Sequence, residues 1–398
     1  MSNIPKLRFP EFSGEWEKSE LGKFTQEITR VNPNSDAPIM MISAANGFIL
    51  QSNKYSKEMT GQSLKKYIEL HAGEFAYNHG ASKLKKYGAC FCLDLDKARI
   101  PFVYHCFKLT EGNTKFFSYL LNRTQLDSEL ARYISSSARM DGLLNISYTD
   151  YMKINIYVPI LPEQQKIADF LSNVDSIITT ETKILKNLQK KKKALMQKLF
   201  TQQLRFKSDD GTDFPAWEEK KMSDICSVNQ GLQIAIENRL LEKKANCYFY
   251  ITNEFIKTGT KYKYYIENPP KNVLCTKDDI LMTRTGNTGI VVTDIDGCFH
   301  NNFFKINYSR DLVIKGFLVQ FFKLSTTQKR ILVLAGSSTI PDLNHKDFYS
   351  LTIQLPCKAE QQKIADCLSS MDSLIQTQQK VVTTWQQRKK ALLQQMFI

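Results

Sequence analysis

The chain has 398 residues, 42% of them hydrophobic and 24% charged, the proportions of a folded polypeptide long enough for two domains that each bury a core. Lys and Arg outnumber Asp and Glu by 54 to 40, a formal charge of +14, which favours a polyanionic partner over a merely basic surface. No stretch approaches the run of about 18 apolar residues that a membrane span requires, and "MSNIPKLRFPEFSGEW" lacks the apolar core of a signal peptide, so a cytoplasmic protein with no membrane partner is expected.

In chain order, "RFPEFSGEWEKSELGKF" opens a first module with Phe-Pro, Trp16 and a charged run into apolar positions. Further on, "GEFAYNHGASKLKKYGACF" holds a polar turn that offers Asn78, His79, Ser82, Lys83, Lys85 and Lys86 to base edges or phosphate oxygens. "RYISSSARMDGLLNIS" adds Ser136, Ser137 and Arg139 as candidate contacts, and "TDYMKINIYVPILPEQQ" reads as a short alternating strand ending at a proline. From Glu163 to Phe200 there is no proline, and Lys, Gln, Leu and Ala dominate. That predicts a helix of roughly 38 residues, on the order of 57 Å long.

The chain then repeats itself. "DFPAWEEKKMSDI" pairs Trp217 with Trp16, both preceded by Phe-Pro. "GTKYKYYIENPPK" interleaves Tyr262, Lys263 and Tyr264, a pattern shared by nucleic-acid surfaces and ordinary strands, and it stays unassigned. "KDDILMTRTGNTGIVV" reads as strand, glycine-rich turn and strand, with Arg284, Thr285, Asn287 and Thr288 on the turn and Gly286 and Gly289 allowing close backbone approach. "LAGSSTIPDLNHKDF" contributes Ser337, Ser338, Thr339, Asn344, His345 and Lys346. "KDFYSLTIQLPCKAEQQ" matches the earlier strand, and a second helix runs from Glu360 to Phe397. "EQQKIADFLSNVDSIITT" thus returns as "EQQKIADCLSSMDSLIQT" 197 residues later, whereas the segments between, about 25–145 and 226–340, do not align. The plan is a module at 1–160, a helix at 161–203, a module at 204–355 and a helix at 356–398.

As heptads, the first helix places Leu171, Ile178, Leu185 and Leu199 at a and Val174, Leu188 and Leu195 at d. The second places Leu368, Ile375, Val382 and Met396 at a and Met371, Trp385 and Leu392 at d. Glu181, Gln378, Lys192 and Lys389 interrupt the seam at matching places, a device that fixes register at a cost in stability. Because the chain leaves one helix, builds a module and returns, antiparallel pairing with a pseudo-twofold axis is expected. Apolar g positions (Phe170, Ile177, Ile184; Cys367, Leu374, Val381) widen the stripe beyond a two-stranded seam, so its spare edge packs on the modules or on another subunit. The lysines of "KNLQKKKKALMQK" are a solvated face or phosphate contacts.

No catalytic inventory emerges. "ENPPK" has Lys271 where an adenine methyltransferase tetrapeptide carries its stacking aromatic, "RTGNTG" leads to a strand rather than a helix, and no G-x-x-x-x-G-K-[ST] loop occurs. The nine cysteines (Cys90, Cys92, Cys106, Cys226, Cys247, Cys275, Cys298, Cys357, Cys367) form no C-x-x-C, and the five histidines have no ligand spacing, so reduced thiols and no metal site are expected.

From about Pro5 onward the organisation resembles the specificity subunit of a bacterial type I restriction-modification system. The likeness is carried by the two "EQQKIAD" helices, Trp16 and Trp217, "TRTGNTG" and "GSST". It implies an α+β (α/β) protein with two target-recognition domains held apart on two long antiparallel coiled-coil helices. Each domain would read one half of a bipartite, asymmetric site in double-stranded DNA. Two modification (methyltransferase) subunits would dock on the helices and two ATP-dependent restriction subunits would join. S-adenosylmethionine, ATP and Mg would sit on those partners, with no cofactor on this non-catalytic chain. Two rivals remain: a stand-alone DNA methyltransferase or nuclease, and a coiled-coil scaffold that binds protein.

Overall fold

The computed structural model describes residues 3–53, 62–80, 82, 84–134, 144–258, 263–336 and 340–398. Two compact units result, Met1–Thr182 with Lys380–Ile398 and Lys183–Gln379.

The first unit contains β1 (Glu17–Glu20), β2 (Thr25–Glu27), β3 (Met40–Ser43), β4 (Gly47–Leu50), β5 (Ile68–His71), β6 (Phe75–Asn78), β7 (Ala89–Cys92), β8 (Lys97–Ile100) and β9 (His105–Leu109). Helices α1 (Thr114–Leu121), α2 (Asp127–Tyr133) and α3 (Tyr148–Met152) follow, then β10 (Asn155–Val158) and the start of α4 (Leu161–Phe200). A four-stranded sheet of order β2-β9-β6-β7 is its centre, flanked by the pairs β1-β10, β3-β4 and β5-β8. Strand β6 is buried on both faces, so it reads as the apolar run "FAY" rather than as an alternation. Phe75 and Tyr77 enter a core with Trp16, Phe107, Phe116 and Tyr151, while Ala76 faces a second core with Leu70, Ala98 and Ile100.

The second unit contains β11 (Glu218–Lys221), α5 (Met222–Ile225), β12 (Cys226–Gln230), β13 (Cys247–Ile251), α6 (Asn253–Thr258), β14 (Tyr264–Glu267), β15 (Leu274–Cys275), β16 (Ile280–Thr283), β17 (Val291–Val292), β18 (Gly297–Phe299) and β19 (Phe303–Tyr308). Then come α7 (Lys315–Lys323), α8 (Ser325–Leu334), α9 (His345–Tyr349), β20 (Thr352–Leu355) and α10 (Lys358–Gln395). Its central sheet, β12-β19-β16-β17, has the strand order of the first unit's, a second sheet runs β14-β13-β18-β15, and β11 pairs with β20 as β1 does with β10. Ile280 and Met282 enter one core with Trp217, Phe304 and Phe317, and Leu281 points to the other with Tyr250 and Phe299.

The repeated "EQQ" is a lock at the start of each long helix. Glu163 is fully buried and receives Arg8 Nε and Nη2, both at 2.7 Å, and Trp16 Nε1 at 3.2 Å. Glu360, equally buried, receives Arg205 Nε at 3.1 Å, Arg205 Nη2 at 2.7 Å and Trp217 Nε1 at 2.9 Å. The next residue bridges backbone groups: Gln164 accepts from Asn113 N and donates to Pro159 O, and Gln361 accepts from Ile314 N and donates to Pro356 O. A charge so enclosed is tolerated only with such full pairing.

Each unit also takes in the end of the helix that begins in the other. Met396 and Phe397 lie in the first core, where Phe397 stacks on Phe116 at 5.4 Å; Met196 and Leu199 lie in the second, beside Phe200 stacked on Phe317 at 5.2 Å. The two lysines at a positions are not solitary register markers. Lys389 Nζ meets Asp175 Oδ1 at 2.5 Å within the first unit, and Lys192 Nζ meets Asp372 Oδ1 at 2.6 Å within the second. Leu171, Val174, Leu185, Leu199, Leu368, Val382 and Met396 are buried, and Ile178, Leu188, Leu195, Met371, Ile375, Trp385 and Leu392 are partly exposed. Of the g positions, Phe170, Ile184 and Leu374 are exposed.

Candidate nucleic-acid interface

In the second unit the two polar segments predicted to meet a ligand converge on each other. Strand β16 ends at Thr283, whose hydroxyl donates to Asn287 O at 2.5 Å and closes the glycine-rich turn; Gly286 and Gly289 there have φ of +86° and +92°. Arg284 Nη2 donates to Asp342 Oδ2 at 2.7 Å, and its guanidinium lies 5.4 Å from the Phe304 ring centroid. The Thr285 hydroxyl donates to the other oxygen of Asp342. Thr288 is buried, its hydroxyl within reach of Arg284 O at 3.0 Å and Pro341 O at 2.8 Å. Asn344 caps α9, accepting from Asp347 N at 2.9 Å. Asn287, His345 and Lys346 are exposed, with His345 edge-on to Phe304 at 4.8 Å.

The first unit has a junction in the same place, built from different residues. Asn78 ends β6, donates to Ile42 O at 3.2 Å and accepts from Gly80 N at 2.9 Å. His79 is buried, with Nδ1 2.8 Å from Leu144 O and Nε2 2.9 Å from Val103 O, and it stacks on His105 at 5.0 Å. Burial pushes the pKa of His105 down. Ser82 Oγ accepts from Lys85 N at 3.0 Å, fixing the turn. Lys85 turns inward to Asn122 O, and its burial pushes the ammonium pKa down; Lys86 stays exposed over the Tyr87 ring. Gly88, at φ +84°, admits no side chain, since a Cβ would meet Asn78 O at 2.5 Å.

The nominated residues therefore divide into two groups. Asn78, His79, Lys85, Arg284, Thr285, Thr288 and Asn344 spend polar atoms on shaping the junctions; Lys86, Asn287, His345 and Lys346 are the side chains presented outward, and the exposed Ser82 does both. Lys83, Ser136, Ser137, Arg139, Ser337, Ser338 and Thr339 lie outside the described residues. Sequence reasoning missed Asp342, on which Arg284 and Thr285 both depend, although "IPDLN" placed a carboxylate beside the nominated Asn344.

Burial raises the Cys90, Cys92, Cys226 and Cys275 thiols to about 12, so they stay protonated at neutral pH, and all nine cysteines are free. Among the described residues no cluster of three His, Cys, Asp or Glu is disposed to hold a metal, and no helix is long and apolar enough to cross a membrane.

The family model described as the type I restriction modification DNA specificity domain matches residues 99–190 and 216–384. The putative type I restriction enzyme MjaX specificity subunit of Methanocaldococcus jannaschii is 24% identical over 415 residues, covering 98% of this chain and 95% of that one. The MjaVIII specificity subunit of the same organism is 24% identical over 283 residues, covering 66% and 65%. Among solved structures, the S subunit of a type I restriction-modification system from M. genitalium superposes with a TM-score of 0.61 at 15% identity, over 99% of both chains. A chain from a study of complex assembly and conformational transition of the type I R-M system gives 0.57 at 16% identity, over 96% of this chain and 97% of that one.

Proposed function

This chain belongs to the type I restriction-modification DNA specificity family, and on that premise we propose that it reads DNA for a complex whose other subunits do the chemistry. Each unit takes one half of a bipartite, asymmetric site in double-stranded DNA, with Ser82 and Lys86 facing the first half and Asn287, His345 and Lys346 the second. The positive balance of 54 to 40 supplies sequence-independent affinity for phosphate, and the outward side chains supply discrimination. The helices pair as an antiparallel coiled coil about a pseudo-twofold axis, dock two methyltransferase subunits and join two restriction subunits, in the cytoplasm. S-adenosylmethionine, ATP and Mg belong to those subunits, and this chain is non-catalytic.

One observation carries the reading. Lys192 pairs with Asp372 and Lys389 with Asp175, so the same two helix positions, 197 residues apart in each case, exchange the same ion pair in both directions. Such reciprocity is what an internally duplicated chain produces, each copy of the helix meeting the other copy in the same way. Twin helices and unlike modules follow from one logic: both helices meet the same kind of partner, and each module meets different bases.

Helix length then sets the gap between half-sites. A heptad inserted after Lys190, with its match after Gln387 to keep the pairing in register, adds about 10 Å. With a modification partner in cells, mapping methylated adenines is expected to show unchanged half-sites and a gap longer by about 3 base pairs. An unchanged gap overturns the ruler.

A further inference from the structure

The second unit holds a cleft of about 470 Å³ that plays no part in the polar junction. Lys243, Tyr248, Phe249, Phe255, Lys263 and Tyr265 line it. Phe249 and Tyr265 are cross-strand partners on β13 and β14 with ring centroids 6.1 Å apart, and Phe255 on α6 stands edge-on to Phe249 at 4.7 Å. Tyr248 is exposed at the mouth. Lys243 and Lys263 are exposed and, among the described residues, pair with no carboxylate. Asp296, the one acid on the rim among the described residues, accepts from Lys277 N at 3.0 Å and faces Lys277 Nζ at 3.9 Å. The cleft also shares a helix with the junction, since Asn253, two residues before Phe255, donates to Thr285 O at 2.9 Å.

Aromatic rings flanked by unpaired cations match the two chemistries of a nucleotide, a π-face and a phosphate. A base within a duplex has both faces covered by its neighbours. A concave aromatic site of this size therefore suits a base that has left the stack. We propose that the cleft takes one unstacked nucleotide of the bound DNA, its base against Phe249 and Tyr265 and its flanking phosphates on Lys243 and Lys263. The proposal rests on the reading of the second unit as a DNA reader. It gives a role to Lys263 of the "KYKYY" segment, which the sequence left unassigned, and to Tyr265 that ends it; Tyr262 lies outside the described residues.

The test titrates the full chain, by fluorescence anisotropy, against a labelled thymidine oligonucleotide of about 20 nucleotides and a labelled mixed-sequence duplex of about 30 base pairs. Replacing Lys243 and Lys263 together by Glu alters exposed side chains and keeps the fold, as circular dichroism will show. This double variant is expected to bind the single strand at least about tenfold more weakly, with a salt slope reduced by about 1.4. Duplex affinity is expected to fall by less than about threefold, its contacts being spread over many lysines. Tyr265→Leu, which keeps the bulk and removes the ring, is expected to weaken the single strand alone by about tenfold. Equal single-strand binding by the wild type and the double variant overturns the cleft proposal while leaving the DNA-reading function intact. Failure of the wild type to bind the duplex overturns that function itself.

Discussion

The two carboxylate locks are the most demanding consequence of this fold, because their partners are buried unequally. Glu360 is sealed from solvent, whereas the Arg205 side chain keeps 27% of its surface and also donates to Phe214 O and Pro215 O. Removing one partner of a buried pair costs about 3–5 kcal/mol, chiefly as the penalty on the charge left behind. Glu360→Ala leaves a guanidinium that can reach water, and we expect the lower end, about 3 kcal/mol, including the unpartnered Trp217 N–H. Arg205→Met leaves a carboxylate with only that N–H for company, and we expect about 4–5 kcal/mol. With a urea slope of about 2 kcal/mol per M for a unit this size, the midpoints fall by about 1.5 M and 2–2.5 M. Equilibrium unfolding should be followed by Trp217 fluorescence in a chain whose Trp16 and Trp385 are replaced by Phe. The double variant should lose less than the sum of the two by at least about 1 kcal/mol. Additivity, or a Glu360→Ala loss equal to that of Arg205→Met, refutes the argument from unequal burial.

Phe397→Ala should destabilise the first unit by about 3–4 kcal/mol, read from Trp16 fluorescence, since the ring is buried against Trp16 and Phe116 although it lies far along the chain. Burial and the neighbouring Arg239 push His300 down to about 4, and its Nδ1 accepts from Asn302 N at 3.1 Å, so the folded state holds the ring neutral. The unfolded chain, titrating near 6.5, takes up that proton first. Stability of the second unit is therefore full above about pH 6.5 and declines as pH falls towards 4. Urea midpoints measured across this range in wild type and His300→Gln should converge at the acid end.

Much of this was legible in the sequence because the lock repeats: whatever buries Glu163 must bury Glu360, so neighbouring positions are constrained alike in both copies. The alignment of the approach segments was less direct. Phe-Pro precedes each Trp, yet the pairing that matters is Leu7-Arg8-Phe9 with Leu204-Arg205-Phe206, whose arginines hold the two carboxylates. Four extra residues before Trp217 hide that match. They belong to the turn in which the Ser208 and Thr212 hydroxyls and the Thr212 N–H hold Asp210 down at about 2. The junctions were harder still. Polar residues in a turn look alike whether they face solvent or brace the turn, and the choice for Arg284 rests on Asp342, which lies 58 residues away. His79 reads as a donor in sequence and is braced on both nitrogens by carbonyls that only the fold brings near.

The first unit is assembled from Met1–Thr182 and Lys380–Ile398, the second from the unbroken stretch Lys183–Gln379. The first core therefore closes on side chains, Met396 and Phe397, that stand far along the chain from Trp16, whereas the second is gathered within one continuous run. A chain that lacks these two side chains is expected to carry an unsealed aromatic cavity around Trp16. Quality-control proteases act on such exposed apolar surface, so loss of these two side chains is expected to shorten the lifetime of the chain in cells.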